Sequence, residues 1–199
     1  MYTLQGQDGL EMSVKKKKTI LRTIRLSENI DDLLERDAEE QNVSANALIS
    51  KIMTRYVEWD RVIDKTSYII LSSMLYRALI NEVSDQKLEE IGRTFVAEAV
   101  KEFAMVEFGK TDFDSLIKAF FLISKYDTGM RASAPLPVES KADSRWTLTV
   151  YHDFGLKGSI VLKGYFDSLG RNELGRQPTI SVTEDVITVN FPSLSKPHP

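Results

Sequence analysis

The chain has 199 residues, 42% hydrophobic and 28% charged, an ordinary globular composition at a length that accommodates one or two domains. Its 26 Lys and Arg against 29 Asp and Glu leave a net charge of −3, which excludes a uniformly basic surface and confines any DNA contact to a local patch. With no Cys and 2 His, a disulfide scaffold, a thiol nucleophile and a Cys/His zinc site are excluded, and neither a metal nor a cofactor is expected.

Positive charge is concentrated at the start. Residues 1–26 carry 6 basic side chains, Lys15, Lys16, Lys17 and Lys18 with Arg22 and Arg25, against Asp8 and Glu11, a local net of +4. Residues 27–62 reverse the sign, with 4 basic and 9 acidic residues. Asp8 and Glu11 also sit where an apolar signal core would lie, and no stretch approaches the ~18 apolar residues of a membrane span, so a cytoplasmic location is expected. Residues 1–18 read as a flexible basic arm. A lysine run alone is an ordinary solvated tail, and only the neighbouring residues 19–60 give it a role.

Thr19 to Leu26 alternates imperfectly, with Ile20, Ile24 and Leu26 on one side and Leu21, Thr23 and Arg25 on the other. That pattern predicts a half-buried strand, its apolar face broken by Arg22. Ser27 then caps a predicted helix from Glu28 to about Gln41, on which Ile30, Leu33, Leu34 and Ala38 form one stripe. Glu28, Asp31 and Asp32 suit the positive end of its dipole. Asn42 suits a left-handed stop, and Ser44 caps a second helix to about Ile63, with Leu48, Ile49, Ile52, Met53, Tyr56 and Val57 in a broad apolar band. One short strand cannot satisfy its own ladder, nor can two such helices bury their faces unaided, so the unit calls for a second copy.

The order strand, helix, short turn, helix, with Arg25-Leu26-Ser27-Glu28 at the first join and Asn42-Val43-Ser44 between the helices, resembles the ribbon-helix-helix family of DNA-binding regulators. The resemblance covers residues 19 to about 60. It implies an N-terminal ribbon-helix-helix fold, in which two copies intertwine their strands into an antiparallel β-ribbon lying in the major groove. Carried onto this sequence, it assigns base reading to Leu21, Thr23 and Arg25. Arg25 would grip two guanine acceptors, Thr23 would hydrogen-bond base edges and Leu21 would touch a thymine methyl. Leu21 departs from the polar residue usual there. Phosphates would be met by Lys15 to Lys18, by Arg22, and by the free amides opening the second helix at Ser44, Ala45 and Asn46. The first helix, with Asp31, Asp32, Glu35, Asp37, Glu39 and Glu40, would face away from DNA.

Residues 19–64 are thus the expected DNA-binding and dimerisation domain, and residues 65–199 an α+β domain. Tyr68 to Leu71 reads as a short buried strand, and Leu75, Ala78 and Leu79 predict a helix after Ser72. Ser84 caps a longer helix with Leu88, Ile91, Phe95, Val96, Ala99 and Phe103 on one stripe. Thr111 with Asp114 resembles a capping box for a third, lined by Phe113, Leu116, Ile117, Phe120 and Phe121. Residues 127–144, with Pro135 and Pro137 and no periodicity, read as a long loop or lid. Trp146, Leu148 and Val150 alternate as a strand, Gly158 to Leu169 reads as a helix, and Thr179–Thr183 with Val186–Phe191 as a hairpin turning at Glu184-Asp185.

His152, Lys157 and Ser159 form the candidate ligand site of this region, since Gly155 and Gly158 leave backbone amides accessible beside them. A polar strand-to-helix turn has the same composition. The function expected is a sequence-specific transcriptional regulator without enzymatic activity, a homodimer or higher homo-oligomer on double-stranded DNA. Its second domain would sense a small-molecule effector or extend the oligomer. Two alternatives share the same N-terminal module. One is an antitoxin-like repressor with a protein-binding C-terminal domain, the other a DNA-tethered enzyme using His152.

Overall fold

The computed structural model describes residues 20–69, 71–126, 129–134 and 146–192. Its internal contacts divide the chain into two compact units, 1–48 and 49–199.

The first unit holds α1 (Glu28–Glu40) and the opening of α2 (Ala45–Arg55). Residues 20–27 have no regular structure, and among the described residues no strand precedes Met130. The expected N-terminal β-ribbon, and with it the intertwined ribbon-helix-helix dimer, is therefore corrected. A strand exists only by pairing, and an alternating segment with no second strand beside it remains irregular. Ser27 closes the first turn of α1 with its backbone carbonyl, which accepts from the Ile30 and Asp31 amides at 3.0 and 3.1 Å. Its hydroxyl donates instead to Asn29 Oδ1 at 2.6 Å. Asn42 takes the left-handed conformation expected of it, with φ 53°, and the Ser44 hydroxyl oxygen accepts from the Ala47 amide at 3.2 Å.

The second unit continues α2 through a π-helical segment, Tyr56–Asp60, into α3 (Arg61–Ile63). Trp59 and Val62 belong to its core, the Trp59 ring lying 5.7 Å from that of Phe103. There follow α4 (Ser73–Asn81), α5 (Asp85–Ile91), a second π segment (Gly92–Val96), α6 (Ala97–Phe108) and α7 (Phe113–Tyr126). Then come β1 (Met130–Ser133), β2 (Trp146–His152), α8 (Gly155–Leu174), β3 (Thr179–Val182) and β4 (Val186–Phe191). The four strands form one antiparallel sheet in the order β1-β2-β4-β3.

Alternation puts Trp146, Leu148, Val150 and His152 of β2 and Ile187, Val189 and Phe191 of β4 on the buried face of the sheet. Aromatic residues of α7 and α8 complete this core. Phe120 stacks on Tyr165 at 5.5 Å and meets Phe166 edge-on at 4.9 Å. The helices approach closely where α8 crosses α5 and the second π segment. A Cβ at Gly92 would strike the Val161 carbonyl oxygen, and one at Gly164 would strike that of Glu89.

Several element readings change. Among residues 68, 69 and 71 there is no strand, whereas Met130–Ser133, inside the segment read as loop, pairs with β2. Leu75 and Leu79 of α4 are 48% and 55% exposed, and Ile80 is the residue that helix buries. Phe95 is 69% exposed because the wider π turn rotates it outward, while Ala97, Val100 and Phe103 turn in. The cap of α7 is Asp112 rather than Thr111. Its Oδ1 accepts from the Ser115 amide at 2.9 Å and its carbonyl from the Leu116 amide at 2.9 Å. The Lys110 ammonium and the Ser115 donors hold the Asp112 carboxyl well below the usual carboxylate range.

Candidate functional site

In the first unit the side chains assigned to DNA lie on the surface. Leu21 is 91% exposed, and Arg22, Thr23 and Arg25 are exposed beside it. Neither arginine has a carboxylate partner among the described residues. Ile20 and Ile24, expected to face inward, are exposed as well, because no ribbon forms to bury them. Ser44 and Asn46 are exposed and Ala45 half-buried at the start of α2, where the first amides lack helical acceptors. Lys15 to Lys18 lie outside the described residues.

In the second unit the structure joins two of the three residues proposed for the ligand site and separates the third. His152 is 7% exposed, and its Nε2 lies 2.8 Å from Ser159 Oγ. The Ser159 hydroxyl donates to the Thr183 carbonyl at 2.7 Å, so the proton between His152 and Ser159 must come from Nε2. On the other side of the ring, Nδ1 accepts the Phe154 amide at 3.3 Å. Both ring nitrogens are thereby used in one neutral tautomer, with the ring stacked on Phe154 at 5.6 Å. Burial pushes the His152 imidazolium below its ordinary pKa, while Asp185 and Asp153 pull the other way. This is a relay tying the end of β2 to α8 and to the β3–β4 turn. As hydrogen-bonded here, His152 cannot also take a proton from Ser159. Lys157 points elsewhere, its Nζ donating to the Val83 carbonyl and to Asp85 Oδ1, each at 2.7 Å.

An open cleft of this unit lies elsewhere. It lies between α7 and β1, has a volume of about 670 Å³, and is lined by Phe121, Leu122, Ser124, Lys125, Met130, Arg131 and Ala132. The sequence reading missed it because it set Met130 to Ser133 in a loop. The available signal was the short alternation of that tetrapeptide. Among the described residues no three His, Asp or Glu side chains converge as metal ligands would, and no helix is long and apolar enough to cross a membrane.

Compared with family models, with curated proteins and with solved structures, the chain matches none.

Proposed function

We propose that the protein is a DNA-binding regulator of transcription that acts as a homodimer, with its N-terminal residues on the duplex and its second unit receiving an effector. The observation that carries the reading is the pair of exposed arginines without carboxylate partners among the described residues, Arg22 and Arg25, shortly after Lys15 to Lys18 in the sequence and immediately before an acidic helix. A local field of one sign beside its opposite orients a protein on a polyanion. The ribbon that would set Leu21, Thr23 and Arg25 on one side is not formed, so the reading rests on this exposed positive segment. Arg25 offers a planar fork to guanine, Thr23 a hydroxyl to base edges and Leu21 an apolar contact to thymine. Lys15 to Lys18, Arg22 and the amides at Ser44, Ala45 and Asn46 meet phosphates.

The test is the affinity of the full chain for duplex DNA across a salt series, read by fluorescence anisotropy. The expected result is a linear fall of log affinity with log salt, made shallower when Lys15 to Lys18 are removed, while preference among sequences survives. Affinity that is absent, or indifferent to salt, would overturn the proposal.

A further inference from the structure

The cleft between α7 and β1 is bounded by apolar side chains on one side and by main chain on the other. Met130 and Ala132 stand opposite His152 and Val150 of β2, on the helix side of the sheet, and line the cleft with Phe121 and Leu122 at the margin of the core. β1 is an end strand in the sheet order. The Asp153 amide donates to the Gly129 carbonyl across the β1–β2 pair at 3.2 Å, so alternation directs the backbone groups of Arg131 and Ser133 toward β2 as well. The amides and carbonyls of Met130 and Ala132 consequently point away from the sheet, along the edge that bounds the cleft, and among the described residues no strand pairs with them. Donors and acceptors repeating at strand spacing match one kind of group, the main chain of another extended segment. The same alternation sets the Arg131 side chain on the opposite face from Met130 and Ala132, exposed beside its cross-strand neighbour Tyr151. Among the described residues Arg131 has no carboxylate partner.

We propose that the edge of β1 takes an extended peptide segment of a partner protein as a fifth strand of the sheet, with the cleft receiving its side chains. In antiparallel pairing, the mode of every other pair in the sheet, two residues of the segment exchange main-chain hydrogen bonds with Met130 and Ala132. Their side chains fall on the helix side, in the apolar cleft beside Phe121 and Leu122. The residue between them lies opposite Arg131 on the other face, where a carboxylate pairs with the guanidinium across the strands. The pattern recognised is therefore apolar, acidic, apolar. The inference rests on the proposed regulatory function only in giving this segment the role of effector. Binding itself is independent of DNA.

The experiment is a titration of the full chain, without DNA, with the blocked peptide acetyl-Thr-Val-Glu-Leu-Thr-amide, followed by amide shifts and amide exchange in NMR. Two further peptides are compared with it, one N-methylated at Val and Leu and one with Lys in place of Glu. The expected result is saturable movement and slowed exchange of the Met130 and Ala132 amides, with the N-methylated peptide at least tenfold weaker and the Lys peptide at least threefold weaker. Arg131→Glu should reverse the last preference, so that the Lys peptide binds more tightly than the Glu peptide. Absence of saturable shifts at these two amides, equal affinity for the N-methylated peptide, or the same preference for Glu in Arg131→Glu would overturn the proposal. Because no step involves DNA, failure here leaves the DNA-binding reading standing, and failure of that reading leaves this one.

Discussion

His152 shows how a residue that reads as chemistry becomes architecture. One ring nitrogen holds the Phe154 amide and the other holds Ser159, whose proton is committed to the Thr183 carbonyl. The relay works only with a neutral ring. Its pKa is lowered by folding, so the unfolded chain binds the proton more readily, and the stability this residue contributes is present above about 6.5 and is lost as pH falls through the folded value. Thermal denaturation should accordingly show a falling melting temperature below about pH 6.5, and His152→Gln should flatten that slope. An unchanged slope would mean that another group controls the acid limb. Tyr165 is the converse case. It is fully buried, its hydroxyl has no hydrogen-bond partner among the described residues, and burial raises its pKa far above the ordinary phenol value. Since a buried hydroxyl left unbonded costs about 1–3 kcal/mol, Tyr165→Phe should leave stability unchanged or raise it by about 1 kcal/mol, measured by urea denaturation. A marked loss of stability would show that the hydroxyl is bonded in solution.

At the scale of elements, the glycines on α8 and the second π segment set how closely the helices approach. Gly92→Ala and Gly164→Ala each drive a methyl group into a backbone carbonyl, and each should destabilise the second unit by about 1–3 kcal/mol or more. A double variant no worse than either single one would show that both report the same crossing. What was legible in the sequence was local. The cap Ser84, the helix after Ser72, the left-handed Asn42 and the alternation of β2 and β4 each depend on a few neighbouring residues, and each forms. What was not legible depended on partners distant in sequence. Ile20 and Ile24 alternate correctly for a strand yet have no strand to pair with among the described residues, while Met130–Ser133 becomes a strand because β2 lies beside it. The same blindness hid the candidate site. The cleft exists only once α7 and β1 are adjacent, whereas His152, Lys157 and Ser159 are close in sequence but divided by the bonds Lys157 makes to Val83 and Asp85.

At the scale of the whole molecule, each unit leaves apolar side chains in water. Ile30 and Leu33 on α1 are about half exposed, as are Leu75 and Leu79 on α4 in the second unit. Faces of this kind favour association with a second copy, which fits the homodimer proposed for DNA binding. Sedimentation of the full chain should reveal a dimer that dissociates on dilution, with Leu33→Glu weakening it at least tenfold and leaving helix content intact. A monomer at all concentrations would remove the dimer from the account. The central claim, that residues 21–25 read DNA, is tested most directly by selecting binding sites from a pool of random duplexes with the wild-type chain and with Arg25→Ala. The account predicts that the wild-type chain enriches a defined sequence containing guanine. It also predicts that Arg25→Ala, folded by circular dichroism, relaxes preference at that base and loses roughly 1–3 kcal/mol of affinity for the selected site. Enrichment of no sequence by the wild-type chain, or of the same sequence with equal affinity by Arg25→Ala, would contradict it.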